Sequence, residues 1–316
     1  MAPSSTPKFK SLVELNDYFS DEFKCKQHLA NIRWKGTPIC PRCGSQKSYL
    51  FKSGDYKCAG CRKKFSVRLG TIFEDSPIPL RKWFVAIYLL TSHKKGISSC
   101  QLAKDLGLTQ KSAWFLLHRI RYAVQQKSFN KPVEETQVQQ LSGTVEVDET
   151  YVGGKEKNKH ANKRQKGTQG RSTKTKAPVF GMKERNGRVV AMVVTSTDSR
   201  TLQPIIRQYV KIGANLMSDE FRAYTGANLL YNHQVVKHGE GQYVSGNAHT
   251  NGMENFWSHL KRGIFGIYHH VSVKHLQTYV EEYGFRYNNR KMGEGERVDF
   301  MLSNVIGRLM YKDLIR

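Results

Sequence analysis

The chain has 316 residues and a formal charge of +25, from 51 Lys and Arg against 26 Asp and Glu. Its mean hydropathy is -0.57, and its longest apolar-rich stretch, WFVAIYLL at 83–90, is too short to cross a membrane. The opening MAPSSTPKFK lacks the apolar core of a secretory signal, and so large a basic excess points to a polyanion, above all a phosphate backbone, because solubility alone needs only a few charges.

In chain order, a helical pattern begins near Ser11, with Leu12, Leu15, Phe19 and Phe23 on one face. Cys25 and His28 fall within it, and Cys25 reads as a packed thiol rather than a metal ligand. The stretch CPRCGSQKSYLFKSGDYKCAGCRKKFSV at 40–67 sets Cys40 and Cys43, then Cys58 and Cys61, in two Cys-x2-Cys knuckles. Two knuckles joined by a hairpin turn four thiolates towards one ion, the donor set of a closed, structural zinc site. Such a metal supplies folding energy to a piece too small for its own core.

From 81 to 92 the chain is nearly all apolar, as in a buried helix. Then ISSCQLAKDLGLTQKSAWFLLHRIRYAV at 97–124 predicts a helix capped by Ser98 or Ser99, a break at Gly107 and a second helix capped by Thr109, the pattern of a helix-turn-helix. On the second helix Lys111, His118, Arg119 and Arg121 are the candidate DNA contacts. Trp114 fits either core or contact. The polar stretch 125–143 reads as a connector.

Beyond it the pattern turns to strands. TVEVDE is the first; APVFGMKERNGRVVAMVV gives two more across an Asn186-Gly187 hairpin. TLQPIIRQYVKI reads as a helix, ANLMSDE as a strand and 232–237 as another. Two separate strands thus end on acids, Asp148 and Glu149 on one and Asp219 and Glu220 on the other, and Asp148 with Asp219 opposite reads as the metal pair. Carboxylates brought together repel unless a cation lies between them, and hard divalent ions such as Mg2+ or Mn2+ suit oxygen ligands. A later helix, starting at His249 or Thr250, carries Asn251 and Glu254 on one face, with Lys261 two turns after Glu254. Glu281 and Glu282 lie on a further helix with the apolar stripe Val273, Leu276, Val280, Tyr283 and Tyr287, and read as structural.

Between these strands, the insert 155–178 holds nine basic residues against the single acid Glu156 and almost nothing apolar. It reads as a flexible segment that contacts phosphate, through Lys163, Arg164, Lys166, Arg171 and Lys174.

The stretches CPRCGS, YKCAGC, VDETYVGG, SDEFRAY, NGMENFWSHLKRGIFGIYHHVS and LQTYVEEYGFRYNNR together resemble bacterial insertion-sequence transposases, and the eukaryotic Merlin elements are similar. The resemblance implies a multidomain chain: an N-terminal helix and zinc ribbon over 1–75, a helix-turn-helix region over 76–130, an α/β RNase H-like catalytic domain with a mixed central sheet over 140–295, and a C-terminal tail over 296–316. It implies Asp148, Asp219 and Glu254 as the catalytic residues, with Asn251 the alternative third, holding two Mg2+ or Mn2+ ions. Lys261 and Arg262 would lie at the DNA beside the cut. The implied partners are double-stranded DNA, as terminal inverted repeats and as target, and further copies of the chain in a homodimer or larger assembly. No membrane is expected; the place is the bacterial cytoplasm, at the nucleoid. The competing reading is a non-catalytic, sequence-specific DNA-binding regulator derived from a transposase; a structure-selective nuclease is a third.

Overall fold

Local signals set the first helices. Ser11 Oγ accepts from the Glu14 amide and Asp21 Oδ1 from the Lys24 amide (2.8 Å), so the expected single helical run is two helices, α1 (Leu12–Tyr18) and α2 (Glu22–Trp34). The computed structural model describes residues 9–125, 139–154, 156–168, 172–236 and 249–315. By its internal contacts the chain divides near 132 and again near 290, the first unit taking in both ends of the chain and the second the stretch between.

In the first unit, β1 (Ser48–Leu50), β2 (Tyr56–Cys58) and β3 (Lys64–Phe65) form a three-stranded antiparallel sheet. Tyr56 and Phe65 are buried and meet the Trp34 ring edge-on at 5.3 and 5.9 Å. The ribbon is thereby fastened to the end of α2, where Arg33 also donates to the carbonyls of Val67 and Leu69. Helix α3 (Leu80–Ser92) buries almost every side chain and forms the axis of the unit. Next come α4 (Ser99–Leu106), capped by Ser98, and α5 (Gln110–Val124), capped by Thr109, with Gly107 left-handed at φ 58 between them. That is the helix-turn-helix read from the sequence.

The last residues close the same unit. Helices α9 (Glu294–Ser303) and α10 (Tyr311–Ile315) follow the second unit in sequence, yet Val298, Met301, Leu302 and Val305 are fully buried. Asp299 Oδ1 lies 2.6 Å from His28 Nε2, and the Ile72 amide donates to the Val305 carbonyl at 2.9 Å. The stretch expected as a tail is thus packed structure, and His28 is held by a carboxylate.

The second unit is built on five strands: β4 (Thr144–Val152), β5 (Ala177–Glu184), β6 (Val189–Val193), β7 (Asn215–Asp219) and β8 (Asn232–Val236), in the order β6-β5-β4-β7-β8. The first three are antiparallel; β7 and β8 run parallel to β4. Helix α6 (Ser199–Tyr209) packs one face, where Leu202 and Ile206 meet Val145, Val147, Phe180 and Met182. Helices α7 (Asn251–Gly263) and α8 (Val273–Asn288) pack the other, where Met253, Trp257, Leu260 and Val280 meet Val152, Val179 and Val189. A mixed sheet in this order between helical layers is the RNase H-like fold.

One glycine sets how closely α7 lies on the sheet. Gly181 pairs with Asp148 across β5 and β4, and a Cβ there would stand 2.3 Å from Met253 Cε and 2.6 Å from Trp257 Cζ2. Gly181→Ala is expected to destabilise the second unit by about 1–3 kcal/mol through overpacking, read as a lower midpoint in urea unfolding with an unchanged slope.

Candidate active site

The acids converge because of strand register. β4 and β7 are parallel neighbours with Glu146 opposite Met217, so Asp148 and Asp219, each two residues further on, reach the same level at the strand ends. Ligand oxygens of Asp148, Glu149 and Asp219 all lie within 4.8 Å of one another. Both oxygens of Asp148 are held: the Glu149 amide donates to Oδ1 (2.9 Å) and the Trp257 indole to Oδ2 (3.0 Å). Asp219 Oδ1 accepts from the Phe221 amide at 3.1 Å, and Glu149 Oε2 from the buried Tyr224 hydroxyl at 2.8 Å. Burial first, then the charges of Glu149 and Asp219, push the Asp148 carboxyl up to about 7. Burial, then Glu149 and Asp148, raise the Tyr224 phenol well above its ordinary range, so it stays a donor.

This is the chemistry of a cation site. Three carboxylates share one rim, the charges of Glu149 and Asp219 add to burial in disfavouring the ionised Asp148, and a divalent ion would relieve that repulsion. The residues present fit Mg2+ or Mn2+ better than zinc, since every ligand atom is a carboxylate oxygen.

Helix α7 runs along this rim. Its start is fixed by Glu146, a buried acid whose Oε2 accepts the Met253 amide at 3.0 Å and whose Oε1 accepts Arg185 Nε at 3.1 Å. Four residues after Met253, Trp257 reaches Asp148. One further turn on, Lys261 is half-buried: burial pulls its ammonium down, Asp148 opposes that, and Lys176 adds to it. Asn251 and Glu254 lie exposed in the first turn, Glu254 with Thr250 Oγ1 at 3.5 Å. The close acidic group contains Glu149 and not Glu254.

The other expected positions divide by exposure. His118, Arg119 and Arg121 are 2%, 4% and 1% exposed, so the basic stripe expected at DNA faces the interior of the first unit. Arg119 lies between the Trp83 and Phe115 rings and donates to the Glu74 carbonyl. Of the candidates on α5 only Lys111 is exposed, its Nζ 5.0 Å from the Tyr311 ring centre. Trp114 also faces Tyr311. In the basic insert Lys163, Arg164, Lys166 and Lys174 are exposed, while Arg171 lies outside the described residues. The described part of the insert holds local structure: two short 3-10 turns, with Lys159 and the Gln165 amide both bound to Glu156 and Arg164 donating to the Lys157 and Lys159 carbonyls. Arg262 is exposed.

Sequence reasoning gives the metal to Asp148 rather than to Glu149 beside it, and assigns no role to Tyr224, Trp257 or Glu146. Glu149 stands beside Asp148 in TVEVDET, and Glu146 shares the parity of Asp148, an acid at an inward position. Those were readable signals. Trp257 in an apolar helical stripe gave none.

In the first unit the four cysteine sulfurs form their own cluster. Cys40 Sγ lies 3.7 Å from Cys61 Sγ, and Cys43 Sγ 3.5 Å from Cys58 Sγ. A tetrahedron with metal–sulfur bonds of about 2.3 Å has edges of about 3.8 Å, so the four sulfurs fit one zinc ion. The Cys61 amide donates to Cys58 Sγ (3.4 Å) and is the leading cause that lowers this thiol to about 6, which favours the thiolate a metal needs.

Comparison with known proteins places these features. Residues 140–288 match the ISXO2-like transposase domain, and residues 20–64 match the transposase zinc-ribbon domain. An uncharacterized protein in transposable element ISH50 of Halobacterium salinarum is 29% identical over 284 residues, 85% of this chain and 91% of that protein. An uncharacterized transposase-like protein of Haemophilus influenzae is 30% identical over 106 residues, 33% of this chain and 85% of that protein. The chain belongs to the transposases. Among solved structures, a chain of the simian T-cell lymphotropic virus intasome, seen by cryo-electron microscopy with PP2A regulatory subunit B56 gamma, is similar at a TM-score of 0.28 and 13% identity, over 61% of the transposase and 66% of that chain. Among the described residues, no helix of the transposase is long and apolar enough to cross a membrane.

Two outcomes are expected. The transposase carries one zinc per chain; Cys58→Ser releases it and opens residues 40–64 to limited proteolysis. In the presence of chelator, the folded protein holds the Asp148 proton to about pH 7, while the unfolded chain releases it near pH 4. The folded state thus binds more protons, and this group's stabilisation is lost as pH rises through that window. Asp148→Asn should raise the melting temperature more at pH 8 than at pH 4; an equal rise at both would place the origin elsewhere.

Proposed function

We propose that this transposase binds the terminal inverted repeats of its element and performs metal-dependent DNA strand cleavage and strand transfer. Asp148 and Asp219 are the first two catalytic residues and Glu254 of α7 the third, with Asn251 the alternative. The observation that carries the reading is the convergence of Asp148 and Asp219, distant in sequence, on one rim with their oxygens within 4.8 Å of each other and of Glu149.

Divalent ions held by these carboxylates would supply Lewis-acid activation of the attacking hydroxyl and neutralise charge on the phosphate as it is transferred. The chain's own groups prepare that rim. Trp257 and the Glu149 amide fix Asp148 in one orientation, so its oxygens need no reorganisation when substrate arrives. The Phe221 amide does the same for Asp219, and Tyr224 turns Glu149 towards the pair. Lys261, half-buried beside Asp148, is placed to donate to a non-bridging phosphate oxygen. Lys111, Lys163, Arg164, Lys166, Lys174 and Arg262 are exposed cations suited to the DNA backbone. No Ser or Tyr nucleophile is needed, because water and then the freed 3′-hydroxyl attack phosphorus directly. Joining two element ends calls for a homodimer or larger assembly.

The test is strand transfer from a plasmid carrying the element ends, with Mg2+. Asp148→Asn and Asp219→Asn should each reduce product by at least about 100-fold, the upper end of what losing a merely supporting residue costs. Glu254→Gln should fall as far, and Glu149→Gln less. If the last two exchange places, the third position is Glu149. Full activity in Asp148→Asn would end the reading and leave a DNA-binding regulator.

A further inference from the structure

The ribbon sheet has two faces of opposite character. Its inner face, Tyr56, Cys58 and Phe65, is buried against Trp34. Strand alternation turns the intervening residues outward. The register places three of them in one row across the sheet, with Tyr49 opposite Lys57 on β1 and β2, and Lys57 opposite Lys64 on β2 and β3. All three are exposed, Tyr49 by 66%.

As an isolated surface this row is unfavourable. Like charges directly opposite on neighbouring strands repel, and among the described residues no carboxylate pairs with Lys57 or Lys64. Asp55 is the one acid in residues 35–64, against eight Lys and Arg, and it is engaged by Lys26 Nζ at 3.0 Å. Lys64 instead sets its ammonium 5.3 Å from the Phe51 ring centre, which keeps the cation on this face. Exposed Lys47, Arg62 and Lys63 border it.

We propose that this row is a DNA-backbone contact of the transposase, with Lys57 and Lys64 on phosphates and Tyr49 against the adjoining sugar. The inference rests on the DNA-binding reading above and adds a face and a mode to it. The occupant follows from charge and spacing. The row spans about 10 Å over three strands about 4.8 Å apart, and its cations sit side by side, as a chain of regularly spaced anions requires. Lysines are point charges without a fixed donor fork. They therefore hold the duplex in place without reading its sequence.

The experiment uses the full-length, zinc-loaded transposase and two duplexes, one with the terminal repeat and one scrambled. Affinities are measured from 50 to 300 mM salt for wild type, Lys57→Gln/Lys64→Gln and Lys57→Arg/Lys64→Arg. The Gln pair should weaken both duplexes by the same factor, about tenfold or more at 0.1 M salt. It should also reduce the slope of log affinity against log salt by about 1.8, two phosphates' worth. The Arg pair should keep the wild-type slope, and Tyr49→Ala should lower affinity without changing it. Zinc content and thermal unfolding are followed in every variant, so a collapsed ribbon is recognised. An unchanged slope in a folded Gln pair overturns the inference, as does a loss confined to the terminal-repeat duplex. Either result leaves the transposase reading standing if wild type still performs strand transfer. That reading fails separately, by full activity in Asp148→Asn.

Discussion

The candidate site depends on the parallel pairing of β4 with β7. Because these neighbours run the same way and in that register, Asp148 and Asp219 end at one level of one sheet edge. An antiparallel pairing of the same two strands would put their ends at opposite edges, and the acids would never meet. The fold therefore gathers negative charge at that edge. Three carboxylates stand together, and Asp148 among them resists ionisation up to about pH 7. The hydrogen bonds from Trp257, Phe221 and Tyr224 orient these groups but add no positive charge. The divalent ions proposed for this rim would balance them.

The same edge explains why α7 must lie so close to the sheet. Trp257 reaches Asp148 because Gly181, directly opposite Asp148, presents no side chain to hold the helix away. Glu146 pins the start of that helix from the same strand, two residues before Asp148. One strand, β4, thus carries a carboxylate for the site and the group that places the helix beside it. Packing and chemistry meet in a span of four residues, Glu146 to Glu149.

Most of this architecture was legible in the sequence where the signal is local. The cysteine knuckles, the Ser98 and Thr109 caps with Gly107 between, the Asn186-Gly187 hairpin and the start of α7 all rest on short-range chemistry, and the structure has each of them. What the sequence hid is long-range. Nothing in residues 296–316 announces that α9 will bury Val298 and Met301 in the first unit. The joining of β4 to β7 is likewise invisible to strand patterns, which do not say which strands are neighbours. Strand alternation sets Glu149 on the opposite side of β4 from Asp148, yet at the strand end its carboxylate reaches the same rim.

The helix-turn-helix shows where charge misleads. A formal charge of +25 invites every Lys and Arg on α5 to be read as a phosphate contact. Yet Arg119 and Arg121 are buried. Arg119 spends its guanidinium on two aromatic faces and the Glu74 carbonyl, work for which a planar, weakly hydrated cation is suited and an ammonium is not. The distinction runs through the molecule. Buried Arg286 answers Glu282, and Arg297 donates to the Thr91 carbonyl, whereas the exposed cations of the ribbon row and of the basic insert are largely lysines. Arginine here serves more to hold the fold, and lysine to supply the field around it. A basic sequence is therefore better weighed by residue type and helical face than by its net charge when its nucleic-acid surface is sought.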